Sequence, residues 1–243
     1  MKRLLVLLVV ILFAAASYAQ DNNLIWAMTV NVKMDKKLEW EKKVVAYAKT
    51  HLPNAKFRVW EVISGDRTGS YVVIAGPTNY KSWSEPNVSP KGEAMMKADG
   101  QALDALCNWT SNMYWTDVDG LGSSNSDRKL NYQVATYYEI KMGSWGEVRE
   151  ILGRMKASRD KAGAKYDYAI MRPSNSGAGN AFISIRWAEK MEELESGPGF
   201  GVSDKYDEIY GNNSFYKDIN SYFGMLKSSH SEIRVLRRDL SSM

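Results

Sequence analysis

The stretch that decides the fold is YQVATYYEIKM, residues 132–142, followed at once by SWGEVREILGRMKASRDKAG, residues 144–163. The first run is rich in β-branched and aromatic residues and reads as a strand. In the second, Ser144 and Glu147 have the spacing of an S-x-x-E capping box. Val148, Ile151, Leu152 and Met155 then follow at i, i+3, i+4 and i+7, so one helical face is apolar. Gly163 allows the positive φ of a helix stop. KYDYAIM (165–171) and AFISIRW (181–187) read as two more strands, separated by the turn residues PSNSGAGN.

The same order occurs earlier in the chain. LIWAMTVNVKM (24–34) is strand-like, and DKKLEWEKKVVAYAKTHL (35–52) places Trp40, Val44, Tyr47, Ala48 and His51 on one helical face before Pro53. KFRVWEVIS (56–64) and SYVVIAG (70–76) are strands around the turn GDRTG. Val32-Lys33-Met34 and Ile140-Lys141-Met142 occupy the same place before each helix, 108 residues apart. The chain is therefore an internal β-α-β-β repeat. A helical piece (93–109, including Cys107) and a strand (113–118) complete the first copy. SDKYDEIY, SFYKDINSYFGML and a strand over 232–240 complete the second, and each half becomes a ferredoxin-like βαββαβ unit. The expected organisation is a leader over 1–20, a first repeat over 21–119, a linker over 120–130 and a second repeat over 131–243.

In such a unit the helices cover one face of the sheet. Here the other face is apolar too: Ile25, Ala27 and Thr29 lie opposite Trp26, Met28, Val30 and Val32, and Ala135 and Tyr137 lie opposite Val134, Thr136, Tyr138 and Ile140. A sheet open to water would alternate more cleanly. The expected fold class is thus α+β, with two tandem ferredoxin-like units packed sheet to sheet. This arrangement resembles the dimeric α/β-barrel superfamily, which includes antibiotic-biosynthesis-monooxygenase-like, EthD-like and NIPSNAP-like domains. The resemblance rests on element order, length and the paired VKM/IKM and VVIAG/FISIRW segments, and it implies an intrachain α/β barrel.

Composition bounds the function. The 243 residues are 44% apolar and 25% charged, with net charge +4, an ordinary globular balance without the concentrated basic character of a nucleic-acid binder. One cysteine, Cys107, excludes an intrachain disulfide, and it reads as a small buried hydrophobe. MKRLLVLLVVILFAAASYAQ has a basic start, a 13-residue apolar run and a small-x-small end at Ser17-Tyr18-Ala19. That run is shorter than the ~20 residues of a membrane span, so it reads as a bacterial-type signal peptide. The protein is expected to be exported, periplasmic or secreted, with no membrane association after cleavage.

No metal and no cofactor is expected. The segment from Asp117 fails the calcium-loop pattern, with Leu121 at its fifth place and Arg128 at its twelfth. GAGNAF and GPGFG lack dinucleotide or phosphate-loop spacing and read as turns. Asn87, Asn108 and Asn212 begin sequon matches that carry no meaning in a bacterial setting. His230, in KSSHSE, reads as a solvent-facing turn residue. His51 is the proton-shuttle or haem candidate, since some superfamily relatives hold haem through a histidine; a cap at the helix C-terminus is its other reading.

The strands carry Trp26, Trp60, Tyr71, Tyr137, Tyr138 and Tyr168, with Tyr114 and Trp115 on the expected fourth one. Glu61, Arg172 and Arg186 lie in or beside them and need partners if buried. Core packing accounts for most of these rings. A pocket lined by rings with a few polar groups also suits a small molecule, with Trp60, Glu61, Tyr71, Tyr138, Tyr168, Arg172 and Arg186 as candidate contacts. The reading is a binder of a small apolar or aromatic molecule. One alternative, implied by the resemblance, is a cofactor-independent monooxygenase acting on a phenol or quinol. Another is a structural protein that oligomerises. A monomer and a homodimer are both compatible with the sequence.

Overall fold

The computed structural model describes residues 24–51, 56–78, 90–123, 129–164, 167–174, 180–194 and 202–242. The expected leader, the middle of the expected linker, the GPGFG turn and Asn87 lie outside them. The strands are β1 (Leu24–Val32), β2 (Phe57–Ser64), β3 (Tyr71–Thr78), β4 (Cys107–Asp117), β5 (Tyr132–Ile140), β6 (Asp167–Pro173), β7 (Ala181–Ala188) and β8 (Leu226–Leu236). The helices are α1 (Lys37–His51), α2 (Pro90–Asp104), α3 (Trp145–Lys161), α4 (Ser203–Tyr210) and α5 (Ser214–Met225).

Within each half the strand order is that of a ferredoxin-like unit: β4-β1-β3-β2 in the first and β8-β5-β7-β6 in the second. The halves join edge to edge. β2 pairs antiparallel with β8 from Trp60↔Leu236 to Ser64↔Ile233, and β4 with β6 from Trp115↔Pro173 to Asp117↔Met171. The result is a closed eight-stranded barrel, which leaves neither half with an uncovered inner face. Each half has α+β architecture and wraps the outer face of its own sheet with helices. The expected fold class is the observed one.

The two-sided strands explain the layers. On β1, Trp26, Met28, Val30 and Val32 face the helices and belong to a core with Trp40, Val44 and Ala48 of α1. Ile25 and Ala27 point into the barrel, against Met113, Trp115 and the second half's Ile183 and Ile185. On the far side, Val148, Ile151, Leu152 and Met155 of α3 pack on Ile140, Ile170 and Phe182. Each such side chain contributes roughly 1.5–3 kcal/mol on burial.

Several local expectations need correction. Ser144 precedes α3 in helical conformation (φ −79°, ψ −5°), and its side chain makes no capping bond. The Glu147 carboxylate instead accepts from Ser221 of α5. The stop at Gly163 does have φ +67°, and the amides of Gly163 and Ala164 close back on the carbonyls of Asp160 and Arg159. Cys107 is not helical, since α2 ends at Asp104 and Cys107 opens β4. His230 is exposed but lies on β8, stacked on Tyr137 at 4.8 Å between ring centroids. No helix among the described residues is long and apolar enough to cross a membrane.

Candidate functional site

In the first half, α1 and α2 stand over the outer face of the sheet without closing on it. A cavity of about 730 Å³ lies between them. Its floor is Trp26 and Met28 of β1 with Val73 and Ala75 of β3, and its walls are Trp40 and Tyr47 of α1 with Met96 and Leu103 of α2. The local sequence accounts for the space. Met96, Gly100 and Leu103 succeed one another along one face of α2, and position 100 offers no side chain. A Cβ placed there would meet nothing within 4 Å. Ala48 and Ala75 add little volume to the other walls.

Polar groups sit at fixed places around this apolar body: Asp104, Thr110, Asn112 and Lys56. Burial, followed by the charges of Asp99 and Asp104, raises the Tyr47 hydroxyl above its ordinary value, so it stays a donor. Burial first and Asp104 second push the Cys107 thiol up to about 11. Its sulfur donates to the Leu103 carbonyl at 3.3 Å. A protonated thiol is a poor nucleophile and a poor metal ligand.

In the second half, the described residues of the equivalent layer are packed ring on ring. Tyr138 stacks on Phe182 with centroids 4.5 Å apart, Tyr222 meets Tyr138 edge-on at 6.2 Å, and Trp145 closes on Phe182 at 5.8 Å. Tyr206 of α4 and Met225 of α5 complete that core. Burial raises the Tyr222 hydroxyl far above the ordinary tyrosine value, and Tyr138 adds to it.

The sequence candidates are distributed over four places. Tyr138 and Tyr168 belong to this filled core, with the Arg159 guanidinium 5.2 Å from the Tyr168 ring centre. Tyr71 lies beneath α1, stacked on Trp40 at 4.7 Å. Its hydroxyl donates to Glu41, and Arg237 bridges Glu41 and Glu61 at 2.8 and 2.9 Å while Lys37 reaches Glu61 at 2.6 Å. Arg172 lies over the Trp145 ring at 4.2 Å, and Arg186 donates to the Leu194 carbonyl; burial lowers both guanidinium values. Trp60 points into the barrel and lines its lumen with Trp115 and Tyr137. Of the strand rings noted in the sequence, Trp26 alone faces the large cavity.

His51 ends α1, its side chain 6% exposed, with Nε2 2.7 Å from Asp99 Oδ2 and its ring 4.8 Å from that of Tyr47. It is not part of the cavity wall, and its Nε2 is engaged. The chain's other histidine, His230, belongs to the second half. Among the described residues no histidine lines this cavity, and Cys107 is protonated, so its wall offers neither an imidazole nor a thiolate to a haem iron. The residues missed by sequence reasoning are those of α2, whose register is legible only as a small residue interrupting an apolar helical stripe.

No protein-family profile and no curated protein matches the sequence. Solved structures do match in shape. A protein of Fusobacterium nucleatum provisionally named a monooxygenase superposes with TM-score 0.58 at 12% identity, covering 89% of this chain and 94% of that one. A similarly named protein of Lactobacillus acidophilus gives 0.55 at 10% identity, over 91% and 96%. A chlorite dismutase mutant from Candidatus Nitrospira defluvii, in complex with cyanide, gives 0.54 at 7% identity, over 90% and 92%. An anthrone oxidase-like protein gives 0.54 at 11% identity, over 90% and 92%. At these identities the likeness speaks for the fold: the chain has the dimeric α/β-barrel fold, with both ferredoxin-like units in one polypeptide.

Proposed function

We propose that this chain is an exported binding protein for a small, largely apolar molecule carrying an aromatic ring, held in the cavity between α1, α2 and the first half-sheet. The observation that carries the reading is the asymmetry of two similar halves. The described residues under the second half's helices stack ring on ring, whereas the first half leaves about 730 Å³ within the size range of ligand pockets. An apolar body with a few polar groups at the edge favours a molecule with one hydroxyl or carbonyl, met by Asn112, Thr110 or Asp104. Export is supported by the composition of residues 1–20.

Titration with 2-naphthol, followed by quenching of Trp26 and Trp40 fluorescence, tests this. Gly100→Phe projects a ring into the cavity without a clash of its Cβ, and it is expected to abolish the quenching while circular dichroism stays unchanged. Undiminished binding by that variant would sink the proposal.

A second reading follows from the names of two shape relatives, a provisionally named monooxygenase and an anthrone oxidase-like protein. On this reading the bound phenol or anthrone reacts directly with dioxygen, and Asp104 takes the substrate proton. An oxygen electrode with anthrone distinguishes the two. Oxygen uptake that disappears in Asp104→Asn supports catalysis, and binding without uptake leaves a carrier.

A further inference from the structure

Inside the barrel, a second cavity of about 250 Å³ lies between the two half-sheets. Its size exceeds the ~150 Å³ cavity that accepts a benzene ring. Most of the wall is apolar, with the three indoles of Trp60, Trp115 and Trp187 among isoleucines and methionines. Among the described residues of that wall the charged ones are all cationic: Arg58, Arg67 and Arg234 line it, and no described aspartate or glutamate does.

Two of these guanidiniums converge. Arg234 is 1% exposed. It donates to Glu232 through Nε at 2.6 Å, to Gln133 at 2.9 Å and to the Tyr137 hydroxyl at 2.6 Å. Arg67 comes from the turn between β2 and β3 and folds across the barrel end. Its Nε donates to the same Glu232 at 2.9 Å, and Nη1 to Thr29 at 3.1 Å. Its Nη2 is buried beside Glu232 without an aligned hydrogen bond. Both guanidinium carbons lie within 6 Å of the Tyr137 ring centre, at 4.8 and 5.9 Å. Two cations thus share one carboxylate, so this end of the lumen carries a net positive charge in surroundings that solvate it poorly. A bound anion would neutralise it, and guanidiniums are suited to planar carboxylates.

We propose that the lumen is a second ligand site, independent of the helix-covered cavity, for a small aryl carboxylate. The carboxylate meets Arg67 and Arg234, and the ring lies among Trp60, Trp115 and Trp187. Arg67 is also the entry point, since it is the one member of the pair borne on a turn and partly exposed, its side chain 23% accessible.

Calorimetric titration of the purified chain with benzoate, and with benzamide as its neutral isostere, tests this. Benzoate is expected to bind at least about tenfold more tightly than benzamide, and Arg67→Ala to weaken benzoate by about tenfold or more, as for loss of a charge-assisted bond. Gly100→Phe, which blocks only the helix-covered cavity, is expected to leave benzoate affinity unchanged. Arg67 lies in a turn, so circular dichroism checks that the variant is folded, and Arg67→Lys is expected to recover part of the affinity. A crystal grown with 4-iodobenzoate should show the iodine's anomalous signal inside the barrel. The proposal is overturned by absence of benzoate binding, equal affinity for benzamide, full affinity in Arg67→Ala, or iodine found only beneath α1 and α2.

Discussion

Glu232 and Arg234 stand two residues apart on β8 and form an ion pair inside the barrel, each side chain 2% exposed. Glu232 also accepts from Arg67, so its removal would leave two cations without their shared counterion. Breaking a buried pair from one side costs about 3–5 kcal/mol. Glu232→Gln is therefore expected to lower unfolding stability by about 3 kcal/mol in urea denaturation. Replacing Glu232 and Arg234 together by leucine and methionine should cost much less than the two single changes summed. An unchanged midpoint for Glu232→Gln would mean that solvent, rather than this pair, carries the charge.

Gly65, where β2 leaves the sheet for the Arg67 turn, has φ +101°, and a Cβ there would lie 2.6 Å from the Ser231 carbonyl oxygen. The close approach falls beside the seam where β2 joins β8. Gly65→Ala meets both a backbone penalty and a clash, and about 2 kcal/mol or more of destabilisation is expected. Thermal unfolding measures it. Gly69→Ala, also at positive φ but with open space around its Cβ, should cost less.

Acid should weaken the clasp around Tyr71. Burial pushes the Glu41 carboxyl up, but hydrogen bonds from Arg237 and Tyr71 outweigh it and hold the group below its ordinary 4.5. A lowered folded value means that this stabilisation is complete above about pH 4.5 and fades as pH falls through the folded value. Glu41→Gln should therefore cost about 2 kcal/mol near neutrality, with a difference from wild type that shrinks steadily in acid. Chemical denaturation across that range would expose a constant difference, the contrary result.

Asp117 should behave in the opposite sense. Burial, and after it the charge of Asp119, raises its carboxyl above 3.8, although the Val118 amide partly offsets them. Its Oδ1 is buried with no hydrogen-bond partner among the described residues. A raised folded value favours the protonated form, so this group's contribution is lost as pH rises through that value. Asp117→Asn removes the charge and should raise stability by about 1 kcal/mol at neutral pH. The gain should vanish in acid; a variant less stable at both extremes would contradict the assignment.

Element order was legible because periodicity switches cleanly: the alternation of 24–32 and 132–140 gives way to the helical spacing of Trp40, Val44 and Ala48 and of Val148, Ile151 and Leu152. The two fourth strands were read too short for a common physical reason. Among the described residues, β4 is laddered to β6 over Trp115–Asp117 and β8 to β2 from Ile233 onward, so the start of each runs beyond that described pairing. Residues 108–112 and 227–231 are exposed, and polar side chains protect a strand edge. Polarity of that kind looks like a turn in sequence, which is why His230 reads as a turn residue.

Site residues were harder to read, since a ring on a strand is equally suited to any layer of the barrel. Parity correctly separated Trp26 from Ile25, but it could not tell a filled outer layer from an open one. That difference arises from Gly100 on one side and from Tyr206 and Tyr222 on the other, in the second helical segments of the two halves, which share order but not residue pattern. Arg234 was missed for another reason. In EIRVLRRDL the alternation is masked by consecutive arginines, and only the structure shows that Arg234 turns inward while Arg237 turns outward to Glu41 and Glu61.

Covalent joining of the two units has a consequence for what mutation can do. In a twofold homodimer every substitution is made twice, so an indole that plugs one recess plugs its mate as well. Here a change in α2 has no echo in α3, α4 or α5. One unit can serve as a rigid anchor for the closed sheet while the other explores new occupants, and a single molecule bound beneath α1 and α2 would give a stoichiometry of one per polypeptide.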